Sequence, residues 1–272
     1  MKNKVVLVTG ATDGIGKETA LKLAGLGAGV LLHGRDERKC TQVLDEIKRV
    51  NSSGSHQFFL ADFSSLADVA GMAADIMRSH SQLDVLVNNA GNFYKTRKMS
   101  ADDFEMTFAV NHLAPFLLTL LLLDLLKAAA SARIVNVASS AHKSINRVDF
   151  DNLQGEKEYD PFTAYCLSKL GNVLFTKTLA RKLAGSGVSV NALHPGVVST
   201  NLLRKSYHID GISTTEGAKT SVYLASSPKC ADVSGMYFKN SQDRKPSELA
   251  NDIDLQNDFW KISEKMVSDF IE

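Results

Sequence analysis

The sequence predicts a doubly wound α/β fold, a parallel sheet with helices on both faces. Three observations predict it. Short β-branched runs alternate with helical patterns along the chain. A glycine-rich turn, Thr9-Gly10-Ala11-Thr12-Asp13-Gly14-Ile15-Gly16, follows the first run and opens the first helix. No repeat, low-complexity tract or linker interrupts the 272 residues, so 1–272 reads as one domain whose halves meet near residue 130.

The elements follow in order. Lys4–Val8 carries no charge after its first residue and is a first strand. Gly14–Leu26 has Ile15, Ala20, Leu23 and Leu26 at helical spacing and stops at Gly27. Val30–His33 is a second strand, and Asp36 caps an amphipathic helix over Glu37–Val50. Phe58–Ala61 is a third strand. Ser64–His80 is a helix capped by Ser64 or Ser65, and Asp84–Val87 is a fourth strand. Helices are expected over Ala101–Phe108 and Asn111–Lys127, with Pro115 costing the second a hydrogen bond and kinking it. Arg133–Val137 is a fifth strand, Phe162–Leu183 a long helix and Val188–Leu193 a sixth strand. Thr215–Ala225 is a helix, Gly235–Phe238 an edge strand and Ser247–Glu272 a final charged helix. The irregular stretches His142–Pro161 and Pro195–Thr214 are long enough to be functional loops.

Composition excludes several classes. Apolar residues are 44% and charged residues 22%, ordinary for a globular chain, and a net charge of +1 offers nothing to nucleic acid. Three scattered cysteines without CxxC, and seven histidines without HExxH, give no metal site and point to a reduced, cytoplasmic protein. No signal peptide is visible, because MKNKVVLVTG runs straight into the first strand. The most apolar run, Phe116–Leu126, is shorter than the about 20 residues a membrane span needs, and reads as a buried or subunit-facing helix.

Two places carry chemistry. At the first, Gly10, Gly14 and Gly16 let the backbone approach a phosphate, and the helix start supplies free N–H groups with a positive dipole end. That is a seat for a dinucleotide. At the second strand's end, where an NAD-type site wants a carboxylate, stands Gly34, followed by Arg35. A guanidinium suits a 2′-phosphate, and Lys17 could add a second charge, so NADP(H) is expected over NAD(H). The competing readings are a solvated Arg35 and Asp36 as ribose ligand. Asp62 either holds an adenine amino group or merely makes a turn. Asn89, Ala90 and Gly91 would let backbone pass close to the cofactor.

At the second place, Ser139 and Ser140 close the fifth strand, and Tyr165 and Lys169 stand four apart on one helix face. A hydroxyl there can hold a substrate oxygen and a phenol can give it a proton. A phenol titrating near 10 needs a shift of about 3 units to act near neutrality, roughly 4 kcal/mol. An ammonium at 4 Å supplies about 4 kcal/mol at an effective dielectric of 20. Cys166 reads as packing. The loop residues Leu202, Leu203, Tyr207 and Ile209 form either an apolar lid over the substrate or part of the core.

Together TGATDGIG, NNAG, the Asn of VNHLAPF, the Ser of VNVASS, YCLSK and HPG resemble the short-chain dehydrogenase/reductase superfamily, over Val5 to about Thr200. GIGKETA, HGRDERK, SSAHK and AYCLSKLGNVLFTKTLARKL resemble its retinol dehydrogenase and WW-domain oxidoreductase branch. The resemblance implies a Rossmann-like fold and Asn111, Ser139, Tyr165 and Lys169 as catalytic tetrad. It implies that Lys169 also binds the nicotinamide ribose and that Asn111 helps hold a relay water. Thr200 would contact the carboxamide, with Pro195, Gly196 and Val198 beside it. It also implies NADP(H), which most of the branch uses, and a possible homo-oligomer through the helices at Phe116–Leu126 and around Tyr165. Many animal members of the branch carry an N-terminal membrane anchor, and none is expected here, since MKNKVVLVTG reads straight into the first strand. The expected activity is hydride transfer between NADP(H) and a carbonyl or alcohol carbon of a hydrophobic small molecule. Reduction of a conjugated C=C bond, and NADP(H)-responsive binding without turnover, are the alternatives.

Overall fold

Alternation of strand and helix along the chain becomes one eight-stranded sheet in the order β3-β2-β1-β4-β5-β6-β7-β8. A computed structural model describes residues 1–200 and 211–271. The strands are β1 (Val5–Val8), β2 (Gly29–Gly34), β3 (Gln57–Leu60), β4 (Val85–Asn88), β5 (Ala132–Val137), β6 (Val188–His194), β7 (Tyr237–Lys239) and β8 (Gln242–Asp243). All pairs are parallel except β7 with β8. β1, β4 and β6 are buried almost throughout, as strands covered on both faces must be. The strand order reverses between β1 and β4, and this opens a crevice at the carboxyl ends of the strands.

The helices before the crevice begin where short polar side chains accept backbone N–H groups. Asp13 caps α1 (Gly14–Gly25), Asp36 caps α2 (Glu37–Val50) and Ser65 caps α3 (Leu66–Ser79). Two buried cores result, one on each face of the sheet. The larger packs α3 and the helices after β4 around Leu66, Ile76, Phe116 and Leu170. The other packs α1 and α2 around Leu23, Leu32 and Ile47.

The region after β4 departs from expectation. Residues 101–104 form a turn, because Ser100 Oγ accepts the N–H groups of Asp102 (3.2 Å) and Phe104 (3.1 Å) and Asp103 adopts φ 60°. Helix α4 is only Met106–Phe108, capped by Glu105. The expected single helix over Asn111–Lys127 is three pieces: a π-turn at Ala109–Leu113, α5 (Ala114–Leu121) and α6 (Leu123–Ala128). Pro115 explains the π-turn. It has no N–H for the carbonyl of Asn111, and its ring would press on that carbonyl in a tight α-turn. The chain widens by one residue where Asn111 sits, instead of kinking downstream.

The apolar run is buried inside this chain. Phe116 packs on Phe175 (5.0 Å between ring centroids) and on Trp260 (4.9 Å). Leu120, Leu121, Leu123 and Leu125 keep partial exposure. Any contact with a second copy through this run must use them.

Helix α7 (Pro161–Lys182) starts at Asp160, with Pro161 in its first turn, and is buried from Cys166 to Thr176. It is followed by β6 and then by α8 (Thr214–Ser226). The outermost strand is β8, not the expected segment over Gly235–Phe238, because Asn240 and Ser241 turn the chain back at positive φ. The terminal helix α9 is shorter than expected, Ile253–Met266, since Asp252 caps it only there. Among the described residues no helix is long and apolar enough to cross a membrane.

Candidate active site

The crevice holds a cavity of about 750 Å³. One end is built by the β1–α1 turn. Gly10 (φ +61°) and Gly14 (φ +57°) take backbone conformations that side chains disfavour. A Cβ on Gly16 would stand 2.2 Å from the Gly10 carbonyl oxygen, so the turn closes only on glycine. Thr9 Oγ1 accepts the N–H groups of Asn89 (2.9 Å) and Ala90 (3.0 Å), while Asn89 Nδ2 donates to the carbonyls of Thr9 (2.8 Å) and Gly10 (3.2 Å). The β1 turn and the β4 end are thereby one unit. Thr200 lies across it, its Cγ2 3.2 Å from where a Cβ on Gly14 would be.

His33 braces the same turn, which sequence reading left as a strand end. Its Nδ1 accepts the Gly10 N–H (3.2 Å), so Nε2 carries the proton and donates to the Ala61 carbonyl (3.0 Å). Burial lowers its pKa to about 4, so the ring is neutral and this tautomer holds. The ring stacks on Phe63 at 4.2 Å.

The corner at the end of β2 is tight, and a carboxylate side chain there would have to push two neighbouring side chains aside. A Cβ on Gly34 would meet Thr12 Cγ2 at 2.4 Å and Cys40 Sγ at 2.7 Å. Arg35 stands exposed at the cavity edge, its Nη1 3.4 Å from Asp62 Oδ2. Asp62 makes its turn, accepting the Ser64 N–H at 2.9 Å, and also lines the cavity. Lys17, expected to add a second charge here, instead pairs with Glu46 at 2.8 Å and does not line the cavity. Lys39 does, one turn into α2, and sequence reading missed it among the charges of that helix.

The other end lies where β4, β5 and β6 stop. Ser139 follows β5 with its Oγ accepting the Ala141 N–H (3.2 Å). On α7, Lys169 Nζ lies 5.7 Å from the centroid of the Tyr165 ring and donates to the Val137 carbonyl (3.1 Å). Burial lowers the Lys169 pKa from 10.5 to about 8. A buried chain of amides ties the strands to α7: Asn88 Nδ2 donates to Asn136 Oδ1 (2.9 Å), and Asn136 Nδ2 donates to Thr176 Oγ1 (2.9 Å).

Of the residues singled out in the sequence, Gly10, Thr12, Asp13, Gly14, Ile15, Gly16, Arg35, Asp62, Asn89, Ala90 and Gly91 line this one cavity. So do Ser139, Tyr165, Lys169, Pro195, Gly196, Val198 and Thr200. Asn111 does not. It is buried behind the wall, where its Oδ1 accepts the Asn92 N–H (2.6 Å) and its Nδ2 donates to the Asn92 carbonyl (2.9 Å) and to Ser168 Oγ (3.1 Å). Only Gly91 separates it from Lys169: a Cβ there would lie 3.3 Å from Asn111 Oδ1 and 3.4 Å from Lys169 Nζ. Leu202, Leu203, Tyr207 and Ile209 lie outside the described residues.

The short chain dehydrogenase family model matches residues 4–209, three quarters of the chain. The chain belongs to that family. Its members are oxidoreductases that bind a nicotinamide cofactor, and the glycine cradle here, too tight for any side chain at position 16, fits one. Human retinol dehydrogenase 13 is 41% identical, the alignment covering 97% of this chain and 84% of that protein. Human retinol dehydrogenase 14 is 40% identical, covering 98% and 87%. An uncharacterized protein from Mycobacterium paratuberculosis superposes with a TM-score of 0.82 at 31% identity, covering 98% of this chain and 94% of that one. An Escherichia coli protein solved in complex with NADPH superposes with a TM-score of 0.74 at 25% identity, covering 89% and 98%. These relatives put the chain in the retinol dehydrogenase branch of the short-chain dehydrogenase/reductase superfamily.

Proposed function

We propose that this short-chain dehydrogenase reduces the carbonyl group of a hydrophobic aldehyde or ketone with NADPH, or runs the reverse alcohol oxidation, as one domain in the cytoplasm. The observation that carries this is a single one. A phenol, an ammonium and a serine hydroxyl line the same cavity as the glycine cradle.

When bound, the dinucleotide supplies the hydride. The chain does the rest. Ser139 Oγ donates a hydrogen bond to the substrate oxygen. The Tyr165 hydroxyl gives that oxygen its proton in reduction and takes it back in oxidation. Lys169 stabilises the phenolate left behind and holds the nicotinamide ribose. Asn111 works from behind, holding the Asn92 backbone on one side of Gly91 through both of its amide atoms. Phe93, Phe162 and Val197 give the cavity an apolar flank, which suits a substrate like the retinoids for which the human relatives are named. The three buried free cysteines agree with a reducing compartment. A second copy would bind over the partly exposed leucines of α5 and α6.

NADPH is preferred because Gly34 offers no carboxylate to hold the ribose, while Arg35 and Lys39 line the same cavity. Arg35→Glu should therefore weaken NADPH binding by roughly 10- to 100-fold, the loss of a charge-assisted phosphate contact plus a new repulsion. NADH binding should barely change. Titrating both cofactors by fluorescence checks it, and equal losses for both would remove Arg35 from cofactor selection. A panel of aldehydes and ketones read at the NADPH absorbance tests the activity.

A further inference from the structure

A histidine outside the expected tetrad contacts the peptide of Ser139. His142 is wholly buried, three residues beyond Ser139. Its Nε2 accepts the N–H of Ser247 at 3.0 Å. Nε2 must then carry a lone pair, so the ring proton is on Nδ1. That nitrogen lies 2.5 Å from the Ser139 carbonyl oxygen and donates to it. The His142 backbone N–H reaches the same carbonyl at 3.2 Å. The Ser139 peptide is gripped by two donors, one of them fixed by a segment over 100 residues away.

The grip is anchored independently. The His142 ring packs edge-on to Tyr237 of β7 at 4.8 Å between centroids. Next to it, Lys143 Nζ donates to the Lys245 carbonyl at 2.8 Å. The turn after β5 is thus tied twice to residues 245–247. Burial lowers the His142 pKa, which keeps the ring neutral and Nε2 free to accept.

We propose that His142 is a positioning residue: its Nδ1–H holds the Ser139 carbonyl, and this sets where the Ser139 hydroxyl meets the substrate oxygen. The inference rests on the proposed role of Ser139. Misplacing a group that orients substrate by about 1 Å costs on the order of 100-fold in rate.

Two substitutions divide the ring's two bonds. In His142→Asn the amide nitrogen takes the place of Nδ1 and keeps the Ser139 bond. In His142→Gln the amide oxygen takes the place of Nε2 and keeps the Ser247 bond. Both should melt lower than the parent and bind NADPH equally well. The Asn variant should keep kcat within about threefold, and the Gln variant should lose roughly 10- to 100-fold in kcat with a smaller change in KM. Equal kcat in both variants, or a more active Gln variant, would overturn the proposal. A measurement on the unaltered protein stands apart from any folding defect: ¹⁵N shifts of the His142 ring should show the Nδ1–H tautomer, and an Nε2–H tautomer would refute the grip. If Tyr165→Phe were still active, the functional reading itself would fail. If Tyr165→Phe is dead while His142→Gln keeps full kcat, only this inference fails.

Discussion

Tyr165→Phe is expected to lose roughly 10²- to 10⁴-fold in turnover with carbonyl substrates, the range general acid–base catalysis supplies. The substitution removes one oxygen and keeps the ring. The ring's edge-on contact with Phe93, 5.9 Å between centroids, is therefore retained. NADPH affinity and melting temperature should stay close to those of the parent. Loss of activity with both preserved assigns the defect to the missing proton donor. Steady-state turnover, cofactor titration and a thermal melt on the same preparation are sufficient, and normal turnover would exclude Tyr165 from the chemistry.

Lys169→Met should separate stability from activity in opposite directions. Burial holds the Lys169 pKa at about 8, against 10.5 as its ordinary value. Below pH 8 both folded and unfolded chains carry the proton, and the folded chain bears the full cost of a buried ammonium. Between about 8 and 10.5 the folded chain sheds its proton while the unfolded chain keeps it, so stability rises with pH across this window. The shift of about 2.5 units corresponds to ~3 kcal/mol. Leaving the Val137 carbonyl without its donor takes back ~1 kcal/mol. At neutral pH the cofactor-free Met variant should thus be more stable by ~2 kcal/mol, a rise of about 4 °C in Tm. Its melting curve should lose the alkaline rise of the parent. Turnover should fall about 10³-fold, because a charge worth about 4 kcal/mol to the phenolate is gone. A variant that melts lower at pH 7 would contradict the account of a strained, buried cation.

The same contrast shows what the sequence made legible. The strands could be read because parallel strands buried on both faces appear as unbroken apolar runs. The glycine turn and the Tyr165–Lys169 pair could be read because each lies within one stretch, where spacing fixes geometry. The π-turn at Asn111 was hidden: Pro115 announces a broken hydrogen bond, but whether the helix kinks or widens depends on what packs around it. The hold of Asn111 on the Asn92 backbone is a tertiary contact, which no spacing within one stretch shows. Lys17 and Lys39 look alike in the sequence. The fold turns one toward Glu46 and the other toward the cavity. The roles of His33 and His142 are not legible in the sequence because their partners, Gly10, Ala61 and Ser247, are distant in the chain.

Turnover with NADPH carrying deuterium in both positions at C4 of the nicotinamide tests the central claim most directly. With a hydrophobic aldehyde, the account predicts an alcohol bearing one deuteron on the carbinol carbon and a new hydroxyl proton drawn from solvent. Deuterium on a carbon of a neighbouring double bond, with the carbonyl intact, would contradict it in favour of C=C reduction. So would the absence of labelled product from a protein that binds NADPH tightly, which would leave a cofactor-responsive binding protein.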